Sequence, residues 1–503
     1  MNRGRVKAII LGSMCFVLFI AYFEDTVVNL ALPKIQISLG SGVSGLQWIL
    51  NAYTLAAASL VLTSGTLGDI YGRKRILLTG LIVFTIASAV CGFAPNLGIL
   101  IAGRTLQGIG AAALVPGSLS ILADAFPEPK EKAKAFGIWS AVSGIALIAG
   151  PVIGGLLVDT LGWQSAFFLN IPLGVTAVWV ISRVVRESKN PRKQRLDLPG
   201  LLLSIVFLAS LTYTLIEVNT GVWRSPLIIW LLAVVGLSLL GFLIIESYSS
   251  YPMLPLNLFS NSTFAIVNIV SVLVFFTLAS LLFIFSLFLQ QVQGYSATAA
   301  GVRFLPLNGA FIIASLVSGW FAAQRGWRFA IATGLLLEAV ATFSFTTVNT
   351  DTEYGSIMWK LVLCGFGGGV ALAPLAAVTM SYAPPTQAGI ASGVHNTSNR
   401  LGGVWGIAVQ GTILTQQLTS SLKRSLSGWD IPSNFQERLI ADALHGGAKV
   451  SGDLPPNISV LALHQAIGNA FVSGLHAVVI VASIALLAGA LLILAFVPPT
   501  SKK

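Results

Sequence analysis

Two adjacent carboxylates lie inside a long apolar stretch near the start of this 503-residue chain. The stretch runs from about Lys7 to Leu32, and Glu24 and Asp25 fall in its second half. A charged side chain is costly to keep there, so we expect Asp25 to face a wet cavity where it can gain and lose a proton. The alternative is a carboxylate held permanently by Arg104 or by backbone amides. Adjacent helix positions point about 100° apart, so Glu24 is either a second titrating group or a contact to a neighbouring helix.

An arginine lies inside another apolar stretch. Arg104 falls about two turns after Leu97, where the stretch begins, and an unpaired guanidinium is strongly disfavoured at such a position. Arg104 therefore needs a partner. Gln107 can add a neutral hydrogen bond to the same network.

A polar turn separates the second and third apolar stretches. Its glycines, Gly65 and Gly72, allow close helix approach and a tight turn, and Asp69 can accept hydrogen bonds from Arg73. Lys74 adds a further positive charge. The alternative to a functional cluster is a basic turn that sets membrane orientation and holds one local ion pair.

Glycines and a proline are grouped in the fifth apolar stretch. Gly150 and Gly154 are four residues apart, a spacing that lets helices touch closely. Pro151 frees a backbone carbonyl and bends the helix, so we expect a hinge next to a tight contact that also involves Gly155. A plain packing notch is the alternative.

Several other polar residues are candidates for lining a polar path through the apolar region. Helix-end or interhelical contacts are the alternative for the carboxylates, and a hydrogen-bonded polar helix is the alternative for the histidine, which can titrate between about pH 5 and 8. Aromatic rings such as Tyr53 can offer cation–π surfaces or simply pack. The candidates are Gln107, Glu217, Arg303, Glu338, His395 and Arg400.

The composition indicates that lipid surrounds most of the chain. Hydrophobic residues make up 55% and charged residues only 9%, whereas soluble domains carry about 25% charged residues. Apolar stretches of roughly 18 to 30 residues recur along the chain, which predicts an all-α polytopic membrane protein with about fourteen spans. The first stretch is too long for the apolar region of a signal peptide, so we expect it to remain as a helix.

The charge distribution favours a membrane orientation signal over nucleic-acid binding. The formal net charge is +11, but the basic residues form short clusters between the apolar stretches. With both termini on the same side, about 19 of the 29 Lys and Arg residues fall on that side. We therefore predict a multi-pass protein of the inner (cytoplasmic) membrane with both termini in the cytoplasm.

An internal repeat predicts two related halves. The segment from Gly65 and the segment from Gly319 share glycines at their first, eighth and sixteenth positions, as two six-helix units of equal topology would. We predict a first half at 1–195, two inserted helices at 196–250 and a second half at 251–503. The second half is expected to contain an extracytoplasmic loop at about 419–469, with one short helix near 434–444.

Sequence motifs in both halves resemble those of the major facilitator superfamily. The first-helix segment is similar to the signature of fourteen-span drug:proton antiporters of the QacA and EmrB type, although Glu24 departs from that pattern. The others resemble the signature between the second and third helices, the fourth-helix motif, the fifth-helix antiporter motif and a motif of the second half. In that order the segments are YFEDTVVNLALPKI, GTLGDIYGRKR, RTLQGIGAAALVPG, SGIALIAGPVIGGLL and GVRFLP.

The resemblance implies a fold of two six-helix bundles plus two inserted helices, and a role for each motif. It places Arg104 near the first helix, where Arg104 and a proton would compete for Asp25. It implies that the turn at Asp69 holds the two halves together on the cytoplasmic side, as a latch. It also implies that the segment at Gly150 closes the outer side by a contact between the halves, the outer seal.

The implied function is proton-coupled export of small amphipathic or cationic compounds by alternating access. A dedicated exporter of one metabolite, antibiotic, siderophore or lipid is the alternative. The expected partners are the lipid bilayer, protons and a small-molecule substrate, and a periplasmic adaptor stays an open question. We expect no catalytic residues, no cofactor and no metal, because the sequence shows no nucleophile triad, metal-ligand cluster or phosphate-binding loop.

Overall fold

A computed structural model describes residues 3–189, 196–217, 225–249, 252–384, 387–429, 431–445 and 459–498. The predicted all-α class is confirmed, since the described residues form eighteen α-helices. These are α1 (Arg3–Leu39), α2 (Val43–Tyr71), α3 (Arg73–Gly92), α4 (Leu97–Ala111), α5 (Leu114–Ala125), α6 (Pro129–Leu161), α7 (Ser165–Phe168), α8 (Asn170–Val184), α9 (Leu198–Glu217), α10 (Pro226–Tyr248), α11 (Ser262–Leu287), α12 (Ala297–Arg303), α13 (Leu305–Arg325), α14 (Trp327–Ser344), α15 (Tyr354–Ser381), α16 (Ala388–Ser427), α17 (Ser433–Leu444) and α18 (Val460–Phe496).

Thirteen helical segments of the described chain are long and apolar enough to cross a membrane. Some of them join two helices, such as α4 with α5 and α12 with α13. The protein is therefore a multi-pass membrane protein. The predicted total of about fourteen spans included α16, which has 40 residues and is long enough to cross. This helix is more polar than the thirteen segments, and its residues Asn396, Asn399 and Arg400 line a cavity.

The helices pack in two groups. In the first helix group (α1–α8), α6 packs on α1, and α3 packs on α4 and α8. In the second helix group (α11–α18), α15 packs on α13 and α14, while α11 and α18 pack on α16. The two helix groups meet where α2 contacts α16 and where α6 contacts α12. Helix α9 packs against both α2 and α16. The proposed boundaries at 195 and 250 stay a prediction.

The two repeat segments form equivalent turns. Gly72 joins α2 to α3 with φ 119°, and Gly326 joins α13 to α14 with φ 86°. Both values lie in the left-handed region that favours glycine. The third glycines also match, because a Cβ on Gly80 or on Gly334 would lie 2.8 or 2.7 Å from a carbonyl oxygen of the adjacent helix.

The polar segment predicted as a loop at 419–469 is shorter than expected. Helix α16 continues to Ser427, past the predicted start of the loop, and α18 begins at Val460, before its predicted end. The Ser459 hydroxyl caps α18 by accepting from the Leu461 amide at 3.2 Å. The short helix predicted near 434–444 is present as α17.

Candidate functional site

A cavity of about 1200 Å³ lies between the two helix groups. Its lining extends from Asp25 and Asn29 on α1 to Asp69 near the end of α2 and Glu246 near the end of α10. Phe275 and other apolar side chains of α11 form part of the wall. A mostly apolar wall with a few charged groups suits an amphipathic ligand.

Asp25 faces this cavity, as the sequence predicted. Its carboxylate interacts electrostatically with Arg400, which projects from α16 in the second helix group, and Tyr53 lies next to both. Among the described residues, no ion pair within 4.0 Å joins Asp25 to Arg400. The two opposite charges therefore line the same cavity, one from each helix group, without forming a close ion pair.

Glu24 points away from the cavity and is fully buried. It forms an ion pair with Arg104, and its second oxygen accepts from Asn170 Nδ2 at 2.5 Å. Arg104 thus lies beside the first helix, as expected, but its ion pair is with Glu24, and with Asp25 it has only a longer-range electrostatic interaction. The reason is helix geometry: the 100° rotation between neighbours turns Glu24 toward α4 and α8 and leaves Asp25 toward the cavity. Of the two alternatives for Glu24, the structure shows the contact to neighbouring helices.

Arg104 makes further buried contacts besides the ion pair with Glu24. Its Nε donates to the Ile49 carbonyl at 3.0 Å and its Nη1 to Gln107 Oε1 at 2.7 Å. Gln107 in turn donates to Ser88 Oγ at 2.9 Å, and the Tyr53 ring lies 4.3 Å from the guanidinium carbon. The network ties α1, α2, α3, α4 and α8 together. Asn170 was missed from the sequence because its only signal is an amide in an apolar stretch.

The far end of the cavity is closed where α6 meets α12. A Cβ on Gly155 would lie 2.7 Å from Thr298 Cα, and Gly301 packs against the Pro151 carbonyl. Gly150 and Gly154 instead pack against Thr26 and Val27 of α1. The glycine motif therefore joins α6 to its own group on one face and to the second group on the other.

Asp159 reinforces this closed end and was not predicted. Its carboxylate accepts from the Ala297 and Thr298 amides at 3.2 and 2.8 Å and from the Thr298 hydroxyl at 2.7 Å. It also pairs with Lys34 at 3.0 Å. An anion at the start of α12 is favourably placed toward the helix dipole, so one side chain fastens α1, α6 and α12.

We expect Asp159→Asn to loosen the closed end. Spin labels at Leu161 and Val460, which are 69% and 57% exposed, should show a longer distance population by double electron–electron resonance. The amide loses the charge that attracts Lys34 and the α12 amides. Asp351→Asn, an exposed carboxylate outside these contacts, is the matched control. Identical distance distributions in Asp159→Asn and the unmodified protein would contradict this role.

The turn between α2 and α3 forms the predicted ion pair and three sets of unpredicted contacts. Arg73 binds Asp69 at 2.8 Å and Asp124 at 2.5 Å. Glu187 caps α3 by accepting from the Lys74 and Arg75 amides at 3.0 and 3.1 Å. Lys74 Nζ donates to a carbonyl of α8 at 2.7 Å. All these partners precede residue 190, so among the described residues this turn forms no ion pair or hydrogen bond to the second helix group, as the predicted latch would require.

Gly65 does not make the close helix contact that the sequence predicted. Among the described residues, no neighbouring atom lies within 4 Å of a Cβ built on it. Gly65 lines the cavity instead. The spacing of glycines cannot distinguish a glycine that faces a helix from one that faces an open space.

Of the six candidates for a polar path, Arg400 lines the described part of the cavity. Gln107 belongs to the Arg104 network, and Arg303 stacks on Tyr295 at 3.6 Å. His395 lies 3.4 Å from Ser271 Oγ. The carboxylates Glu338 and Glu217 lie inside α14 and at the end of α9, respectively, and do not line the described cavity wall.

Two helix groups with a cavity between them are the arrangement expected of a membrane transporter. The same fold recurs in solved transporters: a bacterial homologue of the human lysosomal transporter Spinster, in its inward-facing state, superposes with a TM-score of 0.67 over 99% of each chain at 16% identity. The nucleoside transporter NupG superposes with a TM-score of 0.64, at 10% identity, over 97% of this chain and all of that one.

Residues 14–407 match the family model of the Major Facilitator Superfamily, and the chain belongs to that superfamily. It is similar to the multidrug resistance protein Stp of Mycobacterium tuberculosis, with 36% identity over 90% of this chain and 85% of Stp. It is also similar to the tetracenomycin C resistance and export protein of Streptomyces glaucescens, with 31% identity over 97% of this chain and 91% of that protein.

Proposed function

We propose that this protein is a proton-coupled antiporter that exports small amphipathic or cationic compounds by alternating access. The observation that carries the proposal is the position of Asp25, which lies in the cavity on α1 and interacts with Arg400 on α16. One titratable group of the first helix group thus interacts electrostatically with a charge on the second group, and relative movement of the two groups would open and close the two sides.

Protonation of Asp25 would change the electrostatic attraction between the two helix groups. The ionised carboxylate attracts Arg400 across the cavity, whereas the neutral acid does not. A cationic substrate near Asp25 favours the ionised form and so competes with the proton. Moving one elementary charge through 100 mV supplies about 2.3 kcal/mol, so inward movement of one proton can drive export of a neutral compound. Exchange of one proton for a singly charged cation moves no net charge and draws its energy from the pH gradient.

The predicted topology assigns directions to the two ends of the cavity. With cytoplasmic termini, the end at Asp69 opens inward, and the contact of α6 with α12 is the outer seal. In the described part of the chain, the Asp69 turn makes no ion pair or hydrogen bond to the second helix group, which agrees with a released cytoplasmic latch. Counting α16 as a further crossing gives fourteen spans, as in the drug:proton antiporter type, with α9 and α10 inserted between two six-helix halves.

The named relatives support export as the direction of transport. Stp is named for multidrug resistance, which favours a broad range of compounds. A second candidate, a dedicated exporter of one compound, is favoured by relatives named for a single antibiotic, such as the tetracenomycin C protein and the cephamycin export protein of Amycolatopsis lactamdurans. The apolar wall of the cavity suits both.

Transport by purified protein in liposomes tests the proposal. An imposed pH gradient should drive uptake of ethidium and of other compounds in a panel of dyes and antibiotics, because outward proton movement supplies the energy. Dissipating the gradient with a protonophore should stop uptake. Equal uptake with and without the pH gradient would refute proton coupling. Uptake of one compound alone from the panel would favour the dedicated exporter.

A further inference from the structure

Two carboxylates from the inserted helices lie at the end of the cavity farthest from the outer seal. Glu246 is in the last turn of α10 and Asp197 directly precedes α9, and both line the cavity. They are close enough for their charges to interact. The segment after α10 closes this part of the wall, since Thr63 of α2 donates to Met253 Sδ at 3.3 Å.

The Glu246 side chain is buried but only half satisfied. It is 3% exposed, and its Oε2 accepts from the Leu254 amide at 3.2 Å. Its Oε1 is buried without a hydrogen-bond partner. An unpartnered buried carboxylate oxygen is costly, so the site favours a ligand that brings positive charge or donors.

Asp197 has the same division between its oxygens. Its Oδ1 caps α9 by accepting from the Gly200 amide at 2.9 Å, which fixes the side chain in place. Its Oδ2 is buried and has no hydrogen-bond partner. The pair therefore presents two carboxylate oxygens without hydrogen-bond partners, on side chains that backbone amides hold in place.

Charge along the cavity wall favours a cation at this end. The described lining holds four carboxylates and two guanidiniums, and both guanidiniums lie near Asp25 rather than near Glu246. Asp69, the third carboxylate of this end, is already paired with Arg73. Within the described lining, this end of the cavity therefore carries more negative than positive charge.

The neighbours of the pair favour an organic cation over a metal ion. Pro252, Met253 and Leu256 line the same part of the wall. Methionine and aliphatic groups fit irregular apolar surfaces, whereas Ca²⁺ or Mg²⁺ requires about six oxygen ligands. An amphipathic cation can place its charge at the carboxylates and its apolar groups on this wall.

We propose that Glu246 and Asp197 form an entrance site that binds the charged group of an amphipathic organic cation before it reaches Asp25. The proposal extends the proposed export function by giving the inserted helices a part in cation selection. It assigns Glu246 the larger share, because Glu246 is the more deeply buried of the two.

Binding of two matched probes to the purified protein in nanodiscs tests the site. Tetraphenylphosphonium carries one positive charge, and triphenylphosphine oxide is a neutral compound with similar aryl groups. We expect Glu246→Gln to weaken tetraphenylphosphonium binding about tenfold and Asp197→Asn to weaken it less, since charge-assisted contacts are lost. Binding of the neutral probe should change less than about twofold.

The controls separate charge recognition from structural damage. Asparagine caps helices as well as aspartate, so Asp197→Asn keeps α9 intact, and Glu437→Gln changes an exposed carboxylate on α17. Unchanged tetraphenylphosphonium affinity in Glu246→Gln, equal weakening of both probes, or no cation binding by the unmodified protein would each overturn the site. Transport by the unmodified protein under a pH gradient decides the proposed function separately.

Discussion

Asp25→Asn is expected to abolish transport driven by a pH gradient while the protein still inserts and folds. Asparagine keeps the size and polarity of the side chain but cannot release a proton, so the cavity loses the group that would link proton movement to the approach of Arg400. We expect the initial rate in liposomes to fall at least about a hundredfold, as for loss of an essential proton carrier. Exchange of labelled for unlabelled substrate without a gradient should persist.

Asp351→Asn is the matched control, because it makes the same chemical change at an exposed position outside the cavity. Its gradient-driven rate should equal that of the unmodified protein. If Asp25→Asn retained gradient-driven transport, Asp25 would lose its coupling role, and the energy source would have to involve another group. Loss of both gradient-driven transport and exchange would indicate that Asp25 is needed to bind substrate.

Glu24→Gln is expected to destabilise the protein strongly. It removes the charge of a fully buried group and leaves the Arg104 guanidinium, which is 1% exposed, without an anion. Breaking such a pair from one side costs about 3–5 kcal/mol. The free energy of unfolding, measured by titration with a denaturing detergent, should fall by that amount.

Two further variants test the origin of this loss. Glu131→Gln breaks the partly exposed pair with Lys7 and should cost less than about 1 kcal/mol. The double variant Glu24→Gln/Arg104→Gln removes both charges and should be more stable than the sum of the single losses implies. Equal losses in Glu24→Gln and Glu131→Gln would contradict a structural role for the buried pair.

The sequence predicted the class of fold and the location of the central carboxylate for simple physical reasons. Long apolar stretches must form helices in lipid, because every backbone group needs a partner inside the segment. A charge within such a stretch must find water or a counterion, which singled out Glu24, Asp25 and Arg104. Turn glycines at Gly72 and Gly326 were visible because positive φ angles favour that residue.

The residue that each charged side chain binds could not be predicted, because it depends on the rotation of each helix about its axis and on the neighbouring helices. The sequence does not show that Glu24 rather than Asp25 faces α4, since both are one residue apart on the same helix. Asp159 and Glu187 act on helix starts more than 100 residues away in the sequence, and their own surroundings are ordinary helix ends. Glu246 was missed because it resembles a helix-end carboxylate until Asp197 is placed beside it.

Proton release on substrate binding tests the central claim most directly. Purified protein in weakly buffered detergent is mixed with ethidium near neutral pH, and a pH indicator reports the protons released per bound molecule. If a cationic substrate and a proton compete for Asp25, their affinities are reciprocally linked. Binding should then release protons from the unmodified protein and weaken as the pH falls, and Asp25→Asn should release none. Equal release from both proteins, or none from either, would contradict the account.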